Sequence, residues 1–491
     1  MELLIDARER LLLAAMIMLA GAALGLGSVL SAPLALGGAA GVLFLAVAYR
    51  NPALGLCLFV VITFFDRSTG LQSGGVTIVK LSGAALALVW IVEVGSGRKD
   101  IPMLVRDRPS VAFAALFLVV WTLASALWAS DPGQALTGSA GSAFRLAQGV
   151  LLLFIVFSAL RERKHVWWLL WAFIGGSVFA AAIGLFGIYG RNASVNDARL
   201  SGGFDDPNEL AAVLVPAIIF SAAAFLAVGR KAIRWLYAGV AAFLGYAFFQ
   251  TDSQAGLLAL GMALLVGVVF SGRARARTVA IVSALLVGLG AYYTFVTQPV
   301  AIQSITSQNN VSGRESLWSV AGSMVKDHPI FGVGAGNFVV SAPAYAASDL
   351  NLPRADLIAK AYPAHNSYLQ VLAELGVVGL LAFLAVIGIS LMLGVRAARA
   401  FERAGDWELE MLSRGVVIGT AAMLVAYFFA TNQYEKQLWL LLGVGPALLS
   451  VAGRGGGRDR GEQPRSAEAT APPRRRGPGL LPHDGAGSLA G

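Results

Sequence analysis

The amino-acid sequence predicts an all-α fold, a polytopic transmembrane helical bundle, on three observations. Of 491 residues, 57% are hydrophobic and only 13% charged, with a mean hydropathy of +0.70; a soluble chain of this length would need far more polar surface. Apolar runs such as "LLLAAMIMLAGAALGLGSVL" and "VAFAALFLVVWTLASALW" recur along the chain, and about 20 apolar residues cross a bilayer as a helix. The basic residues alternate between poor and rich connections, as they do across a membrane. The first run is read as a span rather than a secretion signal, because no small-residue cleavage site follows it and many similar runs do.

Fourteen runs qualify, near 11–30, 34–49, 53–65, 76–94, 110–129, 143–160, 166–189, 209–228, 233–250, 254–270, 277–297, 366–395, 412–430 and 436–452, so 12–14 spans are expected. The second and third are short enough to form a hairpin or a tilted pair. One set of alternate connections, beginning at Arg8, Arg50, Arg98, Arg161, Arg230, Arg273 and Arg396, carries twenty basic residues, and the other carries eight. This asymmetry predicts cytoplasmic termini and an outward-facing loop over 298–365. The expected organisation is a membrane bundle over 1–297, the external loop 298–365, further membrane helices over 366–452 and a cytoplasmic tail over 453–491. The tail is rich in Gly, Pro and Arg and poor in large apolar residues. It cannot bury a core and is expected to be disordered, either simply solvated or touching anionic headgroups.

The net charge of +9 does not argue for nucleic acid, because position rather than sum matters for basic residues in such a chain. The lone cysteine, Cys57, lies in an apolar run, and the histidines at 165, 328, 365 and 483 lack metal-ligand spacing. No disulfide, metal or other cofactor is expected.

A loop as long as 298–365 should contain elements of its own. Ser312-x-x-Glu315 has the capping-box pattern, and Leu317, Val320, Ala321 and Met324 follow at helical spacing, which predicts an amphipathic helix from about 313 to 327 on the outer membrane face. Arg314 then falls in the first turn, where the helix dipole opposes a cation. It either pairs with Glu315 or a neighbour, or joins free N–H groups in an anion site. "GVGAGNF" (332–338) lacks the strand and βαβ setting of a dinucleotide fingerprint and reads as a tight turn ending that helix.

Ser367-x-x-Gln370 repeats the capping-box pattern at the start of the next span and leaves His365 just outside a helix N-terminus. The positive end of that helix disfavours imidazolium, so the ring is expected to be neutral, as a general base must be. A plain capping or loop role is the alternative. Lys80 and Arg145 sit a few residues inside the outward ends of their spans, where they either snorkel or serve a function. Arg191 and Arg199 lie in the outward connection "GRNASVNDARLSGGFDDPNEL", and Glu374 lies two turns below His365. Glu374 either orients the site or pairs with Lys80 or Arg145 as packing glue. Several cations and one histidine at one face suit a lipid-linked diphosphate. A secondary transporter would instead place polar residues near mid-membrane in interrupted helices.

The chain resembles the O-antigen ligases and the related O-antigen polymerases through "RLSGGFDDPNELAAVLVP" (199–216), "GRESLWSVAGSMVKDHPIFGVGAGNF" (313–338) and "AHNSYLQVLAELGVVGL" (364–380). The resemblance extends over about 50–450. It implies a metal-independent glycosyltransferase with the membrane fold of lipid-carrier-dependent enzymes, multi-pass in the bacterial inner membrane, with its active site facing the periplasm. Its partners would be a glycan donor on undecaprenyl diphosphate and a sugar-hydroxyl acceptor, on lipid A-core for a ligase or on a growing glycan for a polymerase. His365 matches the family's essential histidine, Arg314 its loop arginine as a diphosphate ligand, and Arg199 the arginine before "GG…PN"; Asn366 and Glu374 stand beside them as supporting residues. One departure is Ser253-Gln254, where family members often carry Ser-Arg; Lys80, Arg145 or Arg191 would replace that ligand.

Overall fold

The computed structural model describes residues 32–65, 77–96, 101–138, 142–187, 199–204, 206–280, 283–284, 287, 308–348 and 362–461. The chain divides into a unit of 1–452 and a unit of 453–491. The expected spans 11–30 and most of 277–297 lie outside the described residues, as does the tail beyond 461.

Among the described residues the fold is all-α. The helices are α1 (Ala32–Arg50), α2 (Pro52–Thr63), α3 (Ile78–Gly95), α4 (Pro109–Ala124), α5 (Ala143–Ala159), α6 (Arg163–Leu185) and α7 (Pro207–Ala227). After them come α8 (Lys231–Gln250), α9 (Gln254–Phe270), α10 (Gln308–Asp327), α11 (Phe338–Ser348), α12 (Ser367–Ala404), α13 (Trp407–Ala426) and α14 (Lys436–Gly461). Eight helices, α3, α4, α6, α7, α8, α12, α13 and α14, are long and apolar enough to cross a membrane. The α4 span continues through a short 3-10 turn to Leu127, whereas the apolar part of α1 (Gly38–Arg50) and the helices α2, α5 and α9 are shorter and occupy the positions of further expected spans. The chain is thus a multi-pass membrane protein. α1 and α2 meet at Asn51 and Pro52 as a helical hairpin, with Asn51 capping α2 and Pro52 at its first position.

α7 and α13 form the most enclosed part of the bundle. α13 packs on α7, α9 and α12, and α7 also meets α6 and α8. Small residues permit these approaches, as is usual where lipid removes the hydrophobic drive for helix pairing. A Cβ at Gly149 of α5 would fall 2.4 Å from Trp439, a fully buried side chain of α14.

The two ends of the bundle differ. At one end the turns carry ion pairs: Arg161 with Glu93 at 2.5 Å, Arg163 with Asp406 and Glu408, and Arg414 with Glu402 and Glu410 at 2.9 and 3.0 Å. These arginines all belong to the richer set of alternate connections. Arg199 and Arg314 belong to the poorer set, and they stand at the other end with His365.

Candidate active site

His365 is held in place by its neighbours. Asn366 caps α12, its Oδ1 accepting from the N–H groups of Tyr368 and Leu369, both at 3.0 Å. The sequence pattern placed Ser367 at the cap; Ser367 is instead the first helical residue. Its hydroxyl donates to the Ala430 carbonyl at 2.8 Å and accepts from the Asn432 N–H at 2.8 Å, which ties α12 to the α13–α14 turn. Asn and Ser cap equally well, and the tertiary partners of Ser367 decide between them. The Ala364 peptide is fixed at both polar atoms: its N–H donates to Gln370 Oε1 at 3.1 Å and its carbonyl accepts from Trp318 Nε1 at 3.0 Å. His365 itself has φ 49°, in the left-handed region, a costly conformation that only a firm surrounding sustains.

Burial is the chief influence lowering the imidazole pKa below its ordinary value; nearby Arg314 lowers it further, and Asp206 opposes both. The shift favours the uncharged ring, with burial rather than the helix end as its main cause. Tyr362 lies beside it, ring centroids 6.2 Å apart.

α10 begins at Gln308, four residues before the expected cap at Ser312. Arg314 therefore lies beyond the first turn, and the idea that it joins free N–H groups at the N-terminus of this helix is set aside. The expected apolar face is present, with Leu317, Val320, Ala321 and Met324 all buried. It rests on protein, in a small core with Val333, Phe338, Ala342, Ala364 and Ala373. Arg314 is half-buried over the Phe429 ring at 5.8 Å and makes no salt bridge among the described residues. Its guanidinium feels both Asp206 and Arg199.

Arg199 donates from Nε to the Thr251 carbonyl at 2.9 Å and from Nη2 to Asn208 Oδ1 at 3.4 Å. Asn208 Nδ2 donates to Asp206 Oδ1 at 2.8 Å, and the Ser253 hydroxyl donates to Asn208 Oδ1 at 2.7 Å. The residues before α7 are thereby locked to the α8–α9 turn, where the family's Ser-Arg is replaced by Ser253-Gln254. Asp206 caps α7 ahead of Pro207 and supplies the negative charge that His365 and Arg314 feel.

Arg314 thus lies within electrostatic reach of both His365 and Arg199. Arg145 belongs to a neighbouring group, over the Tyr434 ring at 5.5 Å and 3.9 Å from Glu435. Lys80 is exposed at the start of α3, outside the influences recorded for His365 and Arg314. Arg191 lies outside the described residues. Glu374 is buried and joins neither Lys80 nor Arg145: its carboxylate accepts from Gln370 Nε2 at 2.9 Å, from the Tyr434 hydroxyl at 3.2 Å and from the N–H groups of Gly336 and Phe338.

The stretch 329–337 is a docked turn rather than a phosphate cradle, because its N–H groups are committed. Val333 and Gly334 donate to the carbonyls of Ala373 and Glu374 at 2.9 and 2.8 Å, and Ala335 donates to the Ser125 hydroxyl at 3.0 Å. α12 bends at Gly376, φ 66°, to receive this turn. Sequence reasoning did not single out Asp206, Asn208, Trp318, Phe429 or Tyr434. The Asp-Pro step before α7 is an N-cap signal that pointed to Asp206; the aromatic partners carry no local pattern.

Among the described residues, no three His, Cys, Asp or Glu side chains gather as a metal site would need. The fold and this site define a multi-pass membrane protein in which, at one end of the bundle, an imidazole lies within electrostatic reach of Arg314 and Asp206, and Arg314 within reach of Arg199. Residues 239–384, a stretch that includes Arg314, His365 and Glu374, match the family model described as O-Antigen ligase, which bears out the resemblance over that stretch. That family implies a glycosyltransferase-like ligase or polymerase activity on lipid-linked glycan and glycan acceptor substrates in general. No curated protein matches the chain.

Proposed function

We propose that the protein is an O-antigen ligase of the bacterial inner membrane, transferring a glycan from undecaprenyl diphosphate to a sugar hydroxyl of lipid A-core at the periplasmic face. The observation that carries this reading is that Arg314 acts electrostatically on His365 and Arg199 on Arg314, with Asp206 acting on both His365 and Arg314, at the bundle end whose connections are poor in basic residues. Neutral His365 takes the proton of the acceptor hydroxyl as its oxygen attacks the anomeric carbon. The bond from that carbon to the diphosphate breaks, and the leaving group departs as an anion held by Arg314 and Arg199. Fixed cations in a poorly solvated site stabilise developing charge strongly. The reaction inverts the anomeric centre, and the guanidinium groups do the work a metal ion would otherwise do. Lys80, Arg145 and Arg191 are proposed as further diphosphate ligands, in place of the Ser-Arg ligand absent at Ser253-Gln254. An apolar cavity of about 400 Å³ between α7, α8 and α9, walled by Phe225, Trp235 and Phe249, adjoins the turn that anchors Arg199 and suits the polyprenyl chain.

The test is a deletion strain complemented with wild type or His365→Ala. Ladder-modified lipopolysaccharide restored by wild type alone is the expected result, with His365→Ala slower by about 10²–10⁴-fold in transfer from purified lipid-linked donor. Single-repeat lipopolysaccharide in the deletion strain would identify a polymerase instead. Full transfer by His365→Ala would overturn the assignment of the base.

A further inference from the structure

The fold holds a buried polar chain that the proposed reaction does not use. It begins at the Ala364 N–H, which donates to Gln370 Oε1 at 3.1 Å. Gln370 Nε2 donates to Glu374 Oε1 at 2.9 Å, and the Tyr434 hydroxyl donates to Glu374 Oε2 at 3.2 Å. Gln370 is fully buried, Glu374 is 1% exposed and Tyr434 is buried. Polar groups sealed from water are costly unless satisfied, and here they satisfy one another in sequence. One end of the chain of bonds holds the Ala364 N–H, in the Pro363–Ala364 peptide, while Trp318 holds the carbonyl of the next peptide, which enters His365. The other end meets the α13–α14 turn, where the Arg145 guanidinium lies over the Tyr434 ring.

His365 gains from this arrangement in a specific way. A non-glycine residue at φ 49° reverts to an ordinary backbone conformation unless both flanking peptides are held. Here Trp318 holds the carbonyl of the peptide entering His365, Gln370 holds the Ala364 N–H one peptide earlier, and on the other side Asn366 is anchored through its capping side chain. Trp318 lies on α10 four residues after Arg314, so the helix that brings the cation also supports the histidine.

We propose that Gln370 is a positioning residue: with Glu374 and Tyr434 it anchors the Ala364 N–H and, together with Trp318 on the Ala364 carbonyl, immobilises Ala364 and so keeps His365 in its left-handed conformation near Arg314 and Asp206. The inference rests on the glycosyltransferase reading for its kinetic consequence, but the geometry of His365 can be measured without it. Gln370 does not touch substrate; it acts through the backbone of Ala364.

The experiment uses the full chain in lipid nanodiscs, as wild type, Gln370→Leu, Gln370→Glu and Tyr434→Phe. The donor is a synthetic polyprenyl-diphosphate-linked disaccharide and the acceptor is lipid A-core. Gln370→Leu is expected to lower kcat about tenfold or more while the donor KM stays within about twofold, because positioning for the chemical step is lost and donor binding is not. Gln370→Glu keeps an oxygen for the Ala364 N–H, but its bond to Glu374 then requires a proton shared between two carboxyl groups. Its rate relative to wild type therefore falls as pH rises, which a space-filling role would not produce. The second readout is acylation of His365 by diethyl pyrocarbonate, mapped by mass spectrometry. Gln370→Leu and Tyr434→Phe should each change its rate about threefold or more as the ring leaves its half-buried setting. If Gln370→Leu does not fold, Gln370→Glu and Tyr434→Phe carry the test. Wild-type kcat together with wild-type acylation in Gln370→Leu overturns the proposal, and so does a Gln370→Glu rate that tracks wild type at every pH. If the wild type transfers no glycan, the functional reading fails, while the acylation rates still decide the positioning role.

Discussion

Gly376→Ala should release the turn 329–338 from α12 without disturbing the centre of the bundle. Gly376 adopts φ 66° and ψ −173°, a region open essentially only to glycine, and a side chain there costs about 1–3 kcal/mol in backbone strain. An alanine Cβ would also fall 2.0 Å from the Ile330 carbonyl oxygen and 2.7 Å from the Phe331 nitrogen. Both are backbone atoms, so the turn itself must move. Three bonds cross this contact, Val333 N–H to Ala373 O, Gly334 N–H to Glu374 O and Val377 N–H to Pro329 O, at 2.9, 2.8 and 2.9 Å. At about 1 kcal/mol each, their loss together with the strain removes about 4–6 kcal/mol of local stability. A tenfold change corresponds to about 1.4 kcal/mol, so the amides of 329–338 and 373–377 should exchange with deuterium about a thousandfold faster or more. Peptides from α7 and α13 should keep their protection and serve as the internal control. Exchange in 329–338 within about threefold of wild type would refute the reasoning.

The pH dependence of kcat/KM should report His365. Its pKa is lowered, so the neutral base survives below the ordinary histidine value of about 6.5, and the acid limb should lie under that value. Asp206 raises the pKa and Arg314 lowers it, so Asp206→Asn should shift the limb down and Arg314→Gln should shift it up. The unfolded chain binds this proton at higher pH than the folded one, so this ring's share of stability shrinks as pH falls below about 6.5 and levels off beneath the folded value. Asn337 is fully buried: its Oδ1 accepts from Ser130 and Asp131 at 2.9 and 2.8 Å, and its Nδ2 donates to the carbonyls of Asp131 and Ala335 at 3.1 and 3.0 Å. Asn337→Ala should cost about 2–4 kcal/mol in thermal unfolding in detergent, since it strands buried partners.

Membrane spans were legible because a bilayer imposes a length and a composition on each helix separately. The apolar face of α10 was legible for the same reason: Leu317, Val320, Ala321 and Met324 repeat at helical spacing whatever they pack against. Capping failed twice at this level. At 312 a helix that continues upstream overrode the local signal, and at 367 two equally good caps stood side by side. His365, Arg314 and Arg199 could be proposed from charge, position and resemblance. Asp206 and Tyr434 could not be joined to them, because their roles arise from contacts between distant segments. Arg145 and Lys80 looked alike in sequence, each a cation near the same end of a helix, and only packing separates Arg145 beside Tyr434 from the exposed Lys80.

The placement of the cation and that of the histidine are not independent. Residues 314 and 318 of α10 are four apart and so share a helix face; one carries the guanidinium and the other donates to the Ala364 carbonyl. α10 is held in turn by the small core it forms with Phe338, Ala364 and Ala373, which also seats the docked turn on α12. A shift of α10 would therefore move Arg314 and loosen the peptide before His365 together. The proposed reaction, which stabilises a departing diphosphate and deprotonates an acceptor in one event, would need both groups placed at once. A single helix bearing one group and bracing the other gives that coordination without requiring either side chain to touch the other.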